Sequence, residues 1–156
     1  VVSMPKMKTH HWAGITVSMK NLFGIVPGAI YGWPKNLLHW EGIEDSILDI
    51  NAALRVPRFN IVDGIVGMEG NGPIQGDVVD SGLLVLGADP VAVDATVARL
   101  MSIDPTRIDY LARANVFLGN LDEEKIEQLG ENPDALRRDF VVLESFRKAK
   151  QRSTGS

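Results

Sequence analysis

The sequence predicts an α/β fold with a mostly parallel sheet covered by helices on both faces, and three observations carry this. Short β-branched runs alternate with segments of helical period. The runs FNIVDGIV (59–66) and LLVL (83–86) are apolar on both faces, as buried parallel strands are. Asp-Pro pairs at 89–90 and 104–105 give helix starts, with an N-cap followed by proline at the first helical position.

Taken in order, Val1 to Met4 reads as a short strand closed by Pro5. Lys6 to Gly14 reads as a polar loop. Ile15 to Phe23 is a short helix or turn stopped by Gly24, and Ala29 to His39 is loop. Glu41 to Leu54 is a helix, because Ile43, Ile47, Ile50 and Leu54 recur on one face. Phe59 to Val66 is a buried strand. Residues 67–77 form a loop, because Gly67, Gly70, Gly72 and Gly76 crowd it. Leu83 to Leu86 is the next strand and Pro90 to Met101 a helix capped by Asp89. Asp104-Pro105 opens another helix reaching about Val116. Leu121 to Leu129 is a short acidic helix and Phe140 to Leu143 a last strand. One α/β domain is expected over residues 1–147, with a flexible tail over 148–156. Only about four strands are legible, fewer than a doubly wound sheet has, and the chain opens at Val1 directly on a strand. Both suggest an incomplete part of a larger domain.

Charge is distributed unevenly. Residues 1–40 hold Lys6, Lys8, Lys20 and Lys35, all three histidines and all three tryptophans, and neither Asp nor Glu. The net charge of −4 therefore divides into +4 before residue 41 and −8 after it. An acidic total argues against a nucleic-acid partner, whereas the cationic segment suits a small anionic ligand. No apolar run approaches the roughly 18 residues of a membrane span. The chain contains no cysteine, so no iron–sulfur cluster is Cys-ligated within it, and a reducing, cytoplasmic setting is expected.

The glycine run follows a strand, where open α/β sheets bind ligands. Gly70, Gly72 and Gly76 would let backbone N–H groups approach a ligand, with Glu69 and Asn71 as the side chains presented. The run matches neither a P-loop nor a dinucleotide fingerprint, and a tight structural loop is the alternative. Asp63 lies in an apolar strand and Asp94 in an apolar helix, so each needs a partner, structural or functional. Lys6 and Lys8 stand at a strand's carboxyl end, with Lys20 and Asn21 in the next turn. They form either an anion or proton-transfer site or a solvated basic surface. His10 and His11 are adjacent and, in an extended segment, point to opposite faces. No zinc spacing is present; oxygen ligands from Asp63, Glu69 or Asp94 would suit a divalent metal such as Mg²⁺ better.

The blocks PKMKTH (5–10), TVSMKNLFGIVPG (16–28), VDGIVGMEGNGPIQG (62–76) and GADPVAVDATVARLM (87–101) resemble, in that order, the family known as domain of unknown function 362. The resemblance covers the first two thirds of the chain. It implies that Lys6, Lys8, His10, Lys20, Asn21, Asp63, Glu69, Gly70, Gly72, Pro73, Gly76, Asp89 and Asp94 occupy motif positions. Members are often described as iron–sulfur or ferredoxin-linked proteins, because many carry cysteine-rich segments; this chain has none. The expectation is an α/β protein binding a small anion between its cationic segment and its glycine run. Lys8, Lys20, Asp63, Glu69 and Asp94 would serve proton transfer, with or without a divalent metal. Lys6, His10, Asn21, Gly70, Asn71, Gly72 and Gly76 would hold the ligand. The alternative is a non-catalytic accessory module of an iron–sulfur electron-transfer protein, with a ferredoxin-like partner or a second copy bound to it.

Overall fold

The computed structural model describes residues 1–32 and 36–150. Its sheet contains β1 (Val2–Ser3), β2 (Lys6–His10), β3 (Gly14–Thr16), β4 (Phe59–Asn71) and β5 (Gln75–Gly87). The longer helices are α4 (Ile43–Ala53) and α5 (Pro90–Leu100). Short ones are α1 (Ser18–Asn21), α2 (Gly28–Tyr31), α3 (Asn36–Trp40), α6 (Asp109–Ala114) and α7 (Pro133–Leu136). Lys35 and Trp33, counted above in the cationic segment, lie outside the described residues, as do 151–156.

The α/β class holds, and the sheet is mixed. β1 and β2 both pair in parallel with β4, so they act as one strand broken at Pro5. β3 runs antiparallel to β2, and β5 antiparallel to β4. The segment 6–14, read as loop, is therefore a strand followed by a turn and a second strand. Its alternation was present, since Met7 and Thr9 are buried while Lys6 and Lys8 face outward. The glycine run is also strand: β4 continues to Asn71, and only Gly72, Pro73 and Ile74 form the hairpin tip. Antiparallel pairing explains the miss, because glycines here let strands approach closely instead of breaking them.

Further readings along the chain are corrected. Residues 29–39 contain α2 and α3. Residues 121–129 form only one 3-10 turn at Glu123–Lys125, where too few apolar residues back a longer helix. Phe140 to Leu143 pairs with no strand as a ladder; Phe140 is core, and Val141 accepts a bond from the Gly70 N–H at 2.8 Å. The helix after Asp104 is split into a 3-10 turn (Pro105–Arg107) and α6. Ala149 and Lys150 are tied down, by Asp104 N–H to the Ala149 carbonyl and by Lys150 to Asp139 and the Phe140 carbonyl.

Among the described residues, α4 and α5 pack on one face of the sheet. Ser3, Met7, Asn60, Val62 and Leu83 point inward to a core shared with Ile47 of α4 and Val91, Val93 and Val97 of α5. The opposite face, expected to be covered as well, is exposed at Val2, Met4, Phe59, Leu84 and Leu86.

The start of α5 follows the sequence reading. Asp89 Oδ1 accepts from the Val91 and Ala92 N–H groups at 2.8 and 3.1 Å, while Oδ2 accepts from Asn120 N–H at 2.8 Å. The cap thus also anchors the 119–121 segment. Asp89→Ala is expected to lose about 2 kcal/mol in urea denaturation, the upper end for an N-cap. Asp89→Ser should recover part of it, and a loss below about 0.5 kcal/mol would refute the double role.

Candidate functional site

The carboxyl end of β2 is where the candidate residues converge most closely. Lys6, Lys8 and His10 alternate with Met7 and Thr9, and Lys8 stands opposite Thr16 in the register of β3. The tip of the β4–β5 hairpin lies against this end. Lys8 Nζ donates to the Pro73 carbonyl at 3.4 Å and Thr9 Oγ1 to the Gly70 carbonyl at 3.0 Å. The His11 N–H donates to the Gly72 carbonyl at 3.0 Å, and its ring Nδ1 lies 2.7 Å from the same oxygen.

After His10 the chain turns, so His10 and His11 do not point apart as an extended segment would require. Their rings stack, with centroids 4.7 Å apart. His11 meets Trp12 edge-on, and His39 of α3 touches both Trp12 and Phe23. Lys20 is buried with its ammonium 4.2 Å from the Phe23 ring centre. His10 Nδ1 accepts the Trp12 and Ala13 N–H groups, each at 3.1 Å, which assigns the ring proton to Nε2. Burial pushes its pKa down to about 3, helped by the positive charge of Lys20 and by His11 and His39. His10 is therefore a neutral donor at ordinary pH. His11, Trp12, Thr16, Phe23 and His39 were not selected from the sequence. The clustering of imidazole and indole before residue 41 was the signal available.

The carboxylates do not join this cluster. Asp63 forms an ion pair with Lys6 at 2.8 Å, and the hydrogen bond from Lys6 is the main influence lowering its pKa. Lys6 also reaches the Val66 carbonyl. Glu69 Oε2 accepts the Val141 N–H at 2.8 Å. Asn71 bonds to Gln75 across the hairpin, and Asn21 donates to Ser3 Oγ at 2.9 Å.

Asp94 is fully buried in α5 and accepts the Ser18 and Met19 N–H groups of α1 at 2.7 and 3.1 Å. It thereby caps a neighbouring helix whose own N-cap residue, Val17, has no side-chain acceptor. Burial raises its pKa to about 7 against the lowering effect of those two N–H groups. The Tyr110 and Ser18 hydroxyls lie beside the carboxylate without a well-formed hydrogen bond.

Gly67, Gly72 and Gly76 each have a neighbour that explains them. A Cβ on Gly72 would overlap the Thr9 carbonyl oxygen, one on Gly76 the Glu69 carbonyl oxygen, and one on Gly67 would stand 3.0 Å from the Met7 carbonyl oxygen. Gly70 has φ +73 and open space around it. The Gly70 and Gly72 N–H groups are used within the fold, by Val141 and Gly70 carbonyls. The backbone donors expected from Gly70 and Gly72 are thus already engaged.

Among the described residues, no group of three or more His, Asp or Glu is placed to hold a metal ion. Asp63, Glu69 and Asp94, the oxygen ligands expected, serve Lys6, Val141 and α1 separately. An iron–sulfur cluster does not fit the residues present, because the chain offers no thiolate. No helix among the described residues is long and apolar enough to cross a membrane. An open depression of about 670 Å³ is lined by Arg99, Thr106, Leu121 and the 122–125 turn, and by none of the candidate residues.

No solved structure matches the chain. It is 34% identical over 147 residues to the thylakoid-associated protein sll1697 of Synechocystis sp., an alignment covering 91% of this chain and 41% of that protein. The chain thus spans about two fifths of the length of this curated relative. The family model for DUF362 matches residues 1–99, the stretch holding the first three motif blocks, most of the fourth and every candidate residue above, and the chain belongs to this family, the domain of unknown function 362.

Proposed function

We propose that the protein binds a small anion, bearing a phosphate or carboxylate, at the carboxyl end of β2. The observation that supports this is the gathering there of Lys8, His10, His11 and Lys20. Among the described residues Lys8 has no carboxylate within ion-pair distance, and the charges acting on His10 are those of Lys20, His11 and His39. Thr16 Oγ1, opposite Lys8, is buried without a hydrogen-bond partner. An arrangement of this kind supplies charge from Lys8 and a neutral N–H donor from His10, which recognises an anion without first needing a proton. Because the nearby carboxylates are engaged elsewhere, binding is the favoured role, and proton transfer would fall to Lys8 or Lys20.

A second reading, as a non-catalytic module docked beside an iron–sulfur electron-transfer protein, is favoured by the exposed apolar face of the sheet. A cytoplasmic setting remains part of the proposal, on the grounds of cysteine-free chemistry. The thylakoid association in the relative's name is the competing address.

A thermal-shift titration with phosphate, sulfate and small carboxylates at constant ionic strength tests the anion reading. Saturable stabilisation of several degrees is expected near a hundredfold excess over Kd, since binding to the native state alone adds about 2.7 kcal/mol. Lys8→Ala and His11→Ala should weaken it at least tenfold. No anion-specific shift, or an unchanged one in both variants, would refute the site.

A further inference from the structure

Trp12, in the turn after β2, is 49% exposed, although tryptophan is highly buried on average and its ring gains much by leaving water. It does not sit on a loose loop. The Trp12 and Ala13 N–H groups donate to His10 Nδ1 at 3.1 Å each, and the His11 N–H donates to the Gly72 carbonyl at 3.0 Å. The turn that presents the indole is therefore pinned at three consecutive residues. The indole touches two imidazoles, His11 edge-on at 4.8 Å and His39 tilted at 5.6 Å. Beyond His11 the His10 ring continues the series, stacked at 4.7 Å. Positive charge lies in the same locality. Lys8 Nζ and His11 Nδ1 contact consecutive carbonyls of the hairpin tip, those of Pro73 and Gly72.

We propose that the anion bound here carries a flat aromatic or heteroaromatic ring, which lies against the Trp12 indole while its phosphate or carboxylate meets Lys8. The inference rests on the anion reading above and adds the class of group that bears the charge. A bare inorganic anion would use Lys8 and His10 and leave the indole half in water. A flat ring would use the open part of the indole as the cluster already uses its own rings, which pack at centroid spacings of 4.7 to 5.6 Å. Stacking on an aromatic side chain holds a planar group through its π-face, whatever its edge carries. Residues 1–40 contain neither Asp nor Glu, so no carboxylate of this segment competes with the ligand for Lys8. The pinned turn also holds the indole in place before the ligand arrives, which lowers the ordering cost of binding.

Three probes that share one charged group test this in the 156-residue chain. Methyl, cyclohexyl and phenyl phosphate are titrated calorimetrically at a pH where all three are dianions. Phenyl phosphate is expected to bind at least about tenfold more tightly than methyl phosphate, equivalent to about 1.4 kcal/mol. Cyclohexyl phosphate, similar in size but not flat, should bind clearly more weakly than phenyl phosphate. In Trp12→Leu the preference for phenyl over methyl phosphate should disappear, whereas Trp12→Phe, which keeps a ring, should retain most of it. Lys8→Ala should weaken both ligands alike and leave their ratio unchanged. A smaller preference in the wild type would overturn the ring inference and leave the anion site standing. Cyclohexyl phosphate binding as tightly as phenyl phosphate would overturn it as well, because apolar contact and not stacking would then be at work. So would a phenyl preference that survives Trp12→Leu. If that variant does not fold, the cyclohexyl comparison in the wild type decides. Failure of all three probes to bind would refute the anion site itself, and this inference with it.

Discussion

Replacing Asp94 with alanine is expected to lower the melting temperature by roughly 10 °C. The side chain is fully buried and is the acceptor for the Ser18 and Met19 N–H groups. Its removal leaves two backbone donors without partners in a place that water does not reach, at about 1–3 kcal/mol each. Relief of the buried carboxyl's own desolvation offsets part of this, leaving about 3 kcal/mol net. For a chain of this length each kcal/mol moves the transition by about 2–4 °C. The consequence extends to the site, because α1 carries Lys20. A melting temperature within 2 °C of the wild type would refute the capping role.

The same residue gives stability a pH signature. Its folded pKa, raised to about 7, lies above the ordinary carboxyl value of 3.8. The unfolded chain then releases its proton more readily than the folded one. The contribution is fully present below about pH 4 and is lost as pH rises through about 7. The stability difference between wild type and Asp94→Asn should therefore widen as pH falls from 8 to 5. A difference that narrows on acidification would mean that the two N–H donors outweigh burial and keep the carboxylate charged. His10 acts in the opposite sense: its lowered pKa gives stability present above about 6.5 and lost as pH falls toward 3. Subtracting the Asp94→Asn profile separates the two.

Helix α4 and the Asp89-capped α5 were legible because their information is local: isoleucines at helical spacing, and an aspartate placed before a proline. The burial of Asp94 was legible for a related reason, since an isolated carboxylate among valines and alanines requires a partner. The partner itself was not legible, because Ser18 is 76 residues away and contributes only backbone. The glycine run failed differently. Glycine marks loops when nothing else is known, yet here β5 pairs residue by residue with β4 from Asn60 to Asn71, apart from one bulge near Ile65. That pairing depends on a partner strand the local pattern does not reveal. The closeness of Lys20 to His10 falls in a segment that the sequence marks by its charge, whereas the His10–His11 stack depends on a turn at Trp12 that no residue there announces.

Gly72→Ala is expected to be the most damaging single-methyl substitution in the hairpin. The new Cβ would overlap the Thr9 carbonyl oxygen and stand 2.9 Å from its carbon. Both are backbone atoms of β2, so neither rotates away as a side chain would. Relief requires the hairpin tip and β2 to separate. That strains the bonds that hold them, from His11 N–H to the Gly72 carbonyl and from Thr9 Oγ1 to the Gly70 carbonyl. A loss of at least about 3 kcal/mol follows, at the upper end of overpacking effects. Gly70→Ala is the control: its φ of +73 disfavours a side chain, but nothing lies within 4 Å, so about 1 kcal/mol is expected. Urea denaturation of both variants, with phosphate titration of whichever stays folded, distinguishes two reasons for a glycine at 72. If Gly72→Ala is as stable as Gly70→Ala and fails only in anion binding, the glycine serves the ligand. If it unfolds readily while Gly70→Ala binds normally, the glycine serves the crossing of two strands, and the anion is held by side chains alone.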